Sequence, residues 1–296
     1  MTKGLIAVTG ATGFIGRNLV YRLLAKGHSV RALVRHPEKW SLSVEARRFD
    51  VLDQETLPDA LEGVDTAYYL IHSMKSRDFA QMDREGAENF LHAAESSGVN
   101  RIIYLGGLGE SNSQLSEHLK SRSEVGVILG SGKIPTTILR AAIIVGSGSA
   151  SWEMLRQLVD RLPVMITPRW VETRCQPIAL RDVLGYLVGC FEVNATAGGI
   201  FDIGGPDILT YHQMMLEVAS VLKKRIRIYG IPILSPRLSS YWVNLVTDVP
   251  SNVARPLIDG LRSEVVCRDQ RIKSLIPMDL TPFHDAVLLA MEGAIF

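Results

Sequence analysis

Cysteine is scarce in this sequence. Cys175, Cys190 and Cys267 are odd in number and widely spaced, a set that builds neither a disulfide framework nor a zinc site and points to a reducing, cytoplasmic setting. Net charge is nearly missing as well, at +1, so no bulk field gathers nucleic acid or an anionic membrane surface, and no nucleic-acid partner is expected. The one dense basic patch, Lys223-Lys224-Arg225-Ile226-Arg227, reads as a solvated helix end running into a strand. No apolar run reaches the ~18 residues a membrane helix requires, which leaves no membrane span. The apolar N-terminus is broken at Thr9, Gly10, Thr12 and Gly13 with no small-residue cleavage site behind a basic start, so it reads as strand and turn rather than signal peptide. The seven histidines show no ligand-like spacing, which speaks against a metal enzyme and leaves no metal expected. Gly146-Ser147-Gly148-Ser149 lacks the spacing of a hydrolase nucleophile elbow.

What remains is an ordinary globular balance, 47% apolar and 21% charged over 296 residues, enough to bury a large core without staples. Short apolar runs alternate with segments of helical period through the first half. Strands are expected at Gly4 to Thr9, Ser29 to Val34, Ala46 to Asp50, Thr66 to Ile71, Arg101 to Leu105 and Thr136 to Val145. Helices are expected at Phe14 to Lys26 (closed by Gly27), Gln54 to Leu61 (N-capped by Asp53), Arg77 to Ser97 (closed by Gly98) and Leu115 to Leu129. Strands alternating with helices of this length mean βαβ units. The expected fold is α/β, a Rossmann-type doubly wound parallel sheet with helices on both faces and a smaller C-terminal substrate lobe. A dinucleotide-binding domain is read over residues 1–150 and the smaller lobe, partly interwoven with the main sheet, over 151–296. In that lobe prolines punctuate short helices at Trp152 to Arg161, Arg181 to Glu192 and Tyr211 to Leu222, Ser235 to Val246 carries Tyr241 and Trp242 in an apolar context, and Thr281 to Glu292 is an amphipathic helix.

The turn Gly10-Ala11-Thr12-Gly13-Phe14-Ile15-Gly16 follows a strand and opens a helix. Gly10 permits the tight turn, Gly13 lets the backbone approach a pyrophosphate, and Gly16 lets helix and strand pack closely. The helix N-terminus then offers N–H groups and a positive dipole end to the phosphates. An NAD site usually carries an acid at the end of the second strand, on the ribose 2′-hydroxyl. Here that strand ends Leu33-Val34-Arg35-His36, and the guanidinium of Arg35 suits a 2′-phosphate, so NADP(H) is favoured over NAD(H). Arg35 stacked on the adenine, which either cofactor allows, is the alternative.

These residues resemble the fingerprint of extended and atypical short-chain dehydrogenases/reductases, including NmrA-like and NAD-dependent epimerase-like members. The resemblance extends over Phe49-Asp50-Val51-Leu52-Asp53, Ala67-Tyr68-Tyr69-Leu70-Ile71-His72, Gly86 to Ala94, Gln176 to Val183 and Phe201 to Pro206, and so covers most of residues 1–222. It implies Asp50 and Val51 near the adenine and Leu70 to His72 along the cofactor, although His72 also reads as a satisfied histidine at a strand end. The family's catalytic signature is a Tyr followed four residues later by Lys, helped by Ser or Thr. This chain departs from it. The corresponding helix reads Leu115-Ser116-Glu117-His118-Leu119-Lys120-Ser121-Arg122, where His118 and Arg122 share the spacing of four and one helical face. Gly106-Gly107 stands where the family shows Ser-Ser, and Asp83 where many relatives have Asn.

A histidine exchanges protons near neutral pH, and Arg122 would disfavour its charged form while holding ribose hydroxyls or a phosphate. His118 and Arg122 are therefore the catalytic candidates, against a reading of both as ordinary charges on an exposed helix; Ser111 and Ser113 are spare hydroxyls nearby. Arg169, Trp170, Arg174 and Gln176 are candidates for substrate contacts, with surface arginines in a proline-bounded loop as the alternative. Two functions follow. One is an NADP(H)-dependent oxidoreductase or epimerase-like enzyme acting on a small carbonyl, quinone or sugar-nucleotide-type molecule. The other is a non-catalytic redox sensor or structural accessory subunit with a protein partner.

Overall fold

The computed structural model describes residues 4–73, 76, 78–109, 116–231 and 246–293, with the side chains at 169, 170, 231 and 251 outside that description. Seven parallel strands form the central sheet: β1 (Leu5–Thr9), β2 (Val30–Val34), β3 (Glu45–Arg48), β4 (Val64–Tyr69), β5 (Arg101–Gly107), β6 (Thr136–Ala141) and β11 (Ile200–Ile203). Their order is β11-β6-β5-β4-β1-β2-β3, the doubly wound arrangement, with the chain reversing its direction of travel between β1 and β4. Ligands in such sheets bind at that reversal, outside the carboxyl ends of the strands.

The strand residues are apolar on both sides because helices cover both faces. Ile6 and Val8 of β1 face one core with Leu19 and Leu23 of α1 (Phe14–Ala25) and Val183 and Leu187 of α6 (Leu180–Glu192). Ala7, between them, faces the opposite core, which holds Phe90 of α3 (Phe79–Ser96), Leu129 of α4 (Glu117–Gly130) and Leu61 of α2 (Leu57–Leu61). Gly27, at φ +77°, closes α1, and the next backbone N–H, of His28, returns to the carbonyl of Leu23 at 3.1 Å, as a helix end with a left-handed glycine requires.

Three local expectations are corrected. The sixth strand breaks after Ala141; Ile144–Val145 (β7) leaves the sheet and pairs with Ile178–Ala179 (β10). Asp53 stands ahead of the short 3-10 turn Gln54–Thr56 but caps nothing with its side chain, because its carboxylate pairs with Arg48 at 3.2 Å. A helix, α8 (Ser251–Gly260), forms where the sequence suggested only punctuation, with Pro256 inside it.

Beyond β7 lie α5 (Ala150–Arg161), β8 (Val164–Pro168), β9 (Arg174–Cys175), β12 (Leu209–Thr210), α7 (Tyr211–Val221), β13 (Arg227–Ile231), α9 (Arg271–Leu275) and α10 (Phe283–Glu292). A further core gathers Trp152, Val159, Met214, Val218, Phe283 and Val287 from this region. The chain nonetheless returns to the main sheet there, since Phe201 of β11 pairs in register with Leu139 of β6. The basic patch runs from an exposed helix end, where Lys223 takes a left-handed φ of 54°, into β13. Residues 235–245, with Tyr241 and Trp242, lie outside the described residues.

Candidate functional site

The glycine turn is built as its spacing requires. Gly10 has φ +60°, and a Cβ there would come within 2.9 Å of the Leu70 carbonyl oxygen; only glycine occupies such a position without strain. A Cβ on Gly16 would lie 2.3 Å from the Gly10 oxygen, so the missing side chain is what lets α1 start directly beside β1. Gly13 is the N-cap of α1, no side chain caps the helix, and its N–H donates to the Gly10 carbonyl at 2.8 Å. Thr12 and Gly13 are exposed, and Phe14 and Ile15 are half-buried. The first turn therefore presents backbone donors at the carboxyl end of β1. The Thr9 hydroxyl accepts from the Leu70 N–H at 2.9 Å, tying the turn to the segment after β4. Phe14 lies against Gly146 and Gly148, where a Cβ would approach its ring to 3.1 and 3.4 Å.

Arg35 is exposed at the carboxyl end of β2. Nearby, Glu38 lies 3.3 Å from the His36 ring and Arg48 pairs with Asp53, and among the described residues no acid pairs with Arg35 itself. Past β3, the Asp50 carboxylate accepts from the Leu52 N–H at 3.1 Å, and its own N–H donates to the Thr56 hydroxyl at 3.0 Å. Val51 is buried, and its carbonyl accepts from the Asn89 amide of α3 at 2.8 Å. Gly86 makes this approach of α3 feasible, because a Cβ there would sit 2.7 Å from Val51 Cγ2.

The second cluster lies where the carboxyl ends of β4 and β5 meet the first turns of α3 and α4. Asp83 of α3 is buried; its Oδ2 receives His72 Nδ1 at 2.8 Å and the Ser121 hydroxyl at 3.1 Å, and its Oδ1 receives the Ser73 N–H at 2.8 Å. His72 Nε2 meets His118 Nδ1 at 3.1 Å, with the two rings 4.8 Å apart between centroids. The result is a continuous chain, Asp83–His72–His118, in which both histidines are half-buried.

Arg122, one turn after His118, donates to the carbonyls of Ile71 (3.2 Å) and Leu105, and its guanidinium lies 4.9 Å from the centre of the Tyr104 ring. The cation expected to hold ribose hydroxyls is thus bonded to two strand ends, and its charge stands beside the histidines. Tyr104 is fully buried, donates its hydroxyl to the Arg122 carbonyl at 2.9 Å, and burial pushes its pKa up to about 12. Gly106 and Gly107 make room for this arrangement. A Cβ on Gly106 would approach the Tyr104 ring to 2.9 Å, and one on Gly107 would approach Leu119 Cδ2 to 3.0 Å.

Burial, His72 and the Arg122 charge together hold the His118 pKa down at about 3. Burial and Arg122 also lower that of His72, against the opposing pull of the Asp83 hydrogen bond. For Asp83, burial raises the pKa, but the bond and charge of His72 and the donors of Ser73 outweigh it and keep the carboxyl below its usual range. At neutral pH the chain is a carboxylate and two uncharged rings. Asp83 and Ser121 were not singled out as site residues from the sequence. The only signal available was Asp83 standing at an expected Asn.

Two of the four candidate substrate residues are engaged within the protein. Arg174 pairs with Glu264 at 2.8 Å. Gln176 is buried, donating to the Gly205 carbonyl at 2.7 Å and accepting from the Cys267 N–H at 2.9 Å. Arg169 and Trp170 fall on a 3-10 turn after β8, with side chains outside the described residues, as are Ser111 and Ser113. No helix among the described residues is long and apolar enough to cross a membrane.

Residues 10–143 match a family model described as NAD(P)H-binding. The chain is 24% identical over 305 residues to NADH dehydrogenase (ubiquinone) 1 alpha subcomplex subunit 9, mitochondrial, of Arabidopsis thaliana, spanning 95% of this chain and 75% of that protein. It is 27% identical over 263 residues to a ceramide reductase of Caulobacter vibrioides, spanning 84% and 81%. Among solved structures, the Citrobacter sp. triphenylmethane reductase complexed with NADP(H) superposes with a TM-score of 0.78 at 21% identity, over 96% of this chain and 99% of that one.

Proposed function

We propose that the chain is an atypical member of the short-chain dehydrogenase/reductase family, a reading supported by the NAD(P)H-binding match over residues 10–143, and that it is an NADP(H)-dependent oxidoreductase in which His118 replaces the family's Tyr/Lys pair as the proton-exchanging group. The observation that carries this reading is the hydrogen-bonded chain from Asp83 through His72 to His118, set beside Arg122 at the carboxyl ends of β4 and β5. A histidine that merely decorated an exposed helix would not be joined through a second imidazole to a buried carboxylate.

The residues present fit the cofactor. The glycine turn and the first turn of α1 would hold the pyrophosphate, Asp50 and Val51 the adenine edge, Leu70 and His72 the segment beyond, and Arg35 the 2′-phosphate. When bound, the cofactor supplies hydride exchange at its nicotinamide; the chain positions the substrate and moves the proton. We assign residues 151–296 the role of substrate lobe, with a small carbonyl, quinone or sugar-nucleotide-type substrate, and we place the protein in the cytoplasm on the strength of its three free, buried thiols.

A second reading, a non-catalytic nucleotide-binding subunit or sensor, is favoured by the likeness to a respiratory-complex subunit along 95% of the chain. One experiment separates the two. The purified protein is loaded with nucleotide and offered carbonyls and quinones with NADPH, and secondary alcohols with NADP+. The expected result is turnover that His118→Ala lowers by about a hundredfold while nucleotide affinity holds, and that Gly13→Val removes together with nucleotide binding. Tight binding with no turnover of any panel member overturns the enzyme reading.

A further inference from the structure

The direction of the hydrogen bonds in the Asp83–His72–His118 chain is decided by its inner end. We infer that Asp83 and His72 are positioning residues that hold His118 as the Nδ1–H tautomer, leaving its Nε2 lone pair as the proton acceptor, so that the site is set to take the proton of a secondary alcohol. This rests on the oxidoreductase reading and names its substrate class.

An ionised Asp83 has only acceptor capacity. Its Oδ1 is used by the Ser73 N–H, and its Oδ2 accepts from the Ser121 hydroxyl and from His72. His72 must therefore carry its proton on Nδ1. A neutral ring with Nδ1–H has a bare Nε2, and that atom lies 3.1 Å from His118 Nδ1, so His118 must be the donor between the rings. His118 then has its own proton on Nδ1 and a lone pair on Nε2, which makes no hydrogen bond among the described residues. The charges facing the chain are Asp83 on α3 and Arg122 on α4, with the neutral Ser121 and Tyr104 beside them. Arg122 opposes a charged ring, and the uncharged state of both rings is the one that fixes this order.

The step balances. The alcohol O–H bond breaks and its proton goes to His118 Nε2. The carbinol C–H bond breaks with its electron pair leaving as hydride to oxidised nicotinamide, the co-reactant of the proposed function, and the C=O bond forms. The alcohol is oxidised by two electrons and the nicotinamide reduced by two. As Nε2 gains its proton, the Nδ1–H of His118 stays hydrogen-bonded to His72 Nε2 and that of His72 to the ionised Asp83, so the buried carboxylate offsets the positive charge that develops beside Arg122. A lone histidine at this position would have to become an imidazolium against that guanidinium with no such counter-charge.

The test reads tautomers directly, by long-range proton–nitrogen correlation NMR of the 15N-labelled full chain without nucleotide at pH 7. Both rings are expected as Nδ1–H tautomers. Asp83→Asn should invert them. The Ser73 N–H keeps the amide oxygen at the Oδ1 position, so the amide NH2 faces His72 Nδ1, forces that ring to Nε2–H, and through it forces His118 to Nε2–H. For a secondary alcohol that the protein oxidises with NADP+, the same variant should lower kcat by about a hundredfold with KM nearly unchanged. An Nε2–H His118 in the unmodified protein, which needs no variant to detect, overturns the inference, as do unchanged tautomers in Asp83→Asn. The two failures separate. The expected tautomers in a protein that oxidises no alcohol overturn the oxidoreductase reading and the substrate class with it, whereas the opposite tautomer in a protein that turns over overturns the positioning role alone.

Discussion

A single side chain can take over a proton-transfer role only if its neighbours tune it. In the family pattern a lysine lowers the pKa of a tyrosine. Here the starting group is an imidazole, already near neutrality, and its surroundings push the opposite way: burial, His72 and Arg122 keep His118 uncharged. The two glycines at 106 and 107 fit the same proposed exchange, because side chains there would press on the Tyr104 ring and on Leu119 of α4. On the proposed reading, cofactor choice rests on one side chain. Arg35 is exposed past β2, and a guanidinium on a 2′-phosphate contributes roughly 1.5–3 kcal/mol. Arg35→Ala is therefore expected to weaken NADPH binding by about ten- to a hundredfold and NADH binding by much less, as read by fluorescence titration. Equal losses would reassign Arg35 to the adenine.

Elements place these residues through backbone contacts. α4 is fixed to the sheet by three bonds around one residue: the Arg122 guanidinium on the Ile71 and Leu105 carbonyls, and the Tyr104 hydroxyl on the Arg122 carbonyl. His118, one turn earlier on the same face, is thereby held over the end of β4. At the carboxyl end of β1, the packing of β1 and α1 depends on Gly16. Gly16→Ala sets a Cβ 2.3 Å from the Gly10 oxygen, and backbone must shift, at a cost of about 1–3 kcal/mol. A lower Tm together with weakened nucleotide binding is the expected outcome, and an unchanged Tm would show that the turn has slack. The order of β1 to β6 was legible because each strand is a short apolar run bounded by turn residues, and α1 and α3 because glycines close them. Two features were not. α8 was hidden by Pro256, whose usual meaning is a break. The departure of β7 from the sheet was hidden because Ile144 and Val145 are as apolar as the strand before them, and only their pairing with β10 separates the two.

For the whole molecule, the buried chain links stability to pH. His72 and His118 both have folded pKa values below 6.5, so as pH falls through that value the unfolded chain binds protons that the folded protein does not. Asp83, lowered as well, acts in the same sense at lower pH. Stability should therefore be greatest above about pH 6.5 and fall as the pH is lowered. A thermal-melt series from pH 7.5 to pH 5 is expected to show Tm declining, with a shallower decline in a His72→Gln/His118→Gln double variant; parallel declines would place the linkage elsewhere. The glycine turn, the parallel βαβ order and the shared face of His118 and Arg122 follow from the sequence alone, since each depends on residues within a turn or a period of one another. The meeting of Asp83, His72 and His118 does not. They come from α3, the end of β4 and α4, separated by 11 and 46 residues along the chain. Hydrogen bonds of 2.8 and 3.1 Å between them exist only because the sheet and its two helices are packed at one particular distance, which no local pattern encodes.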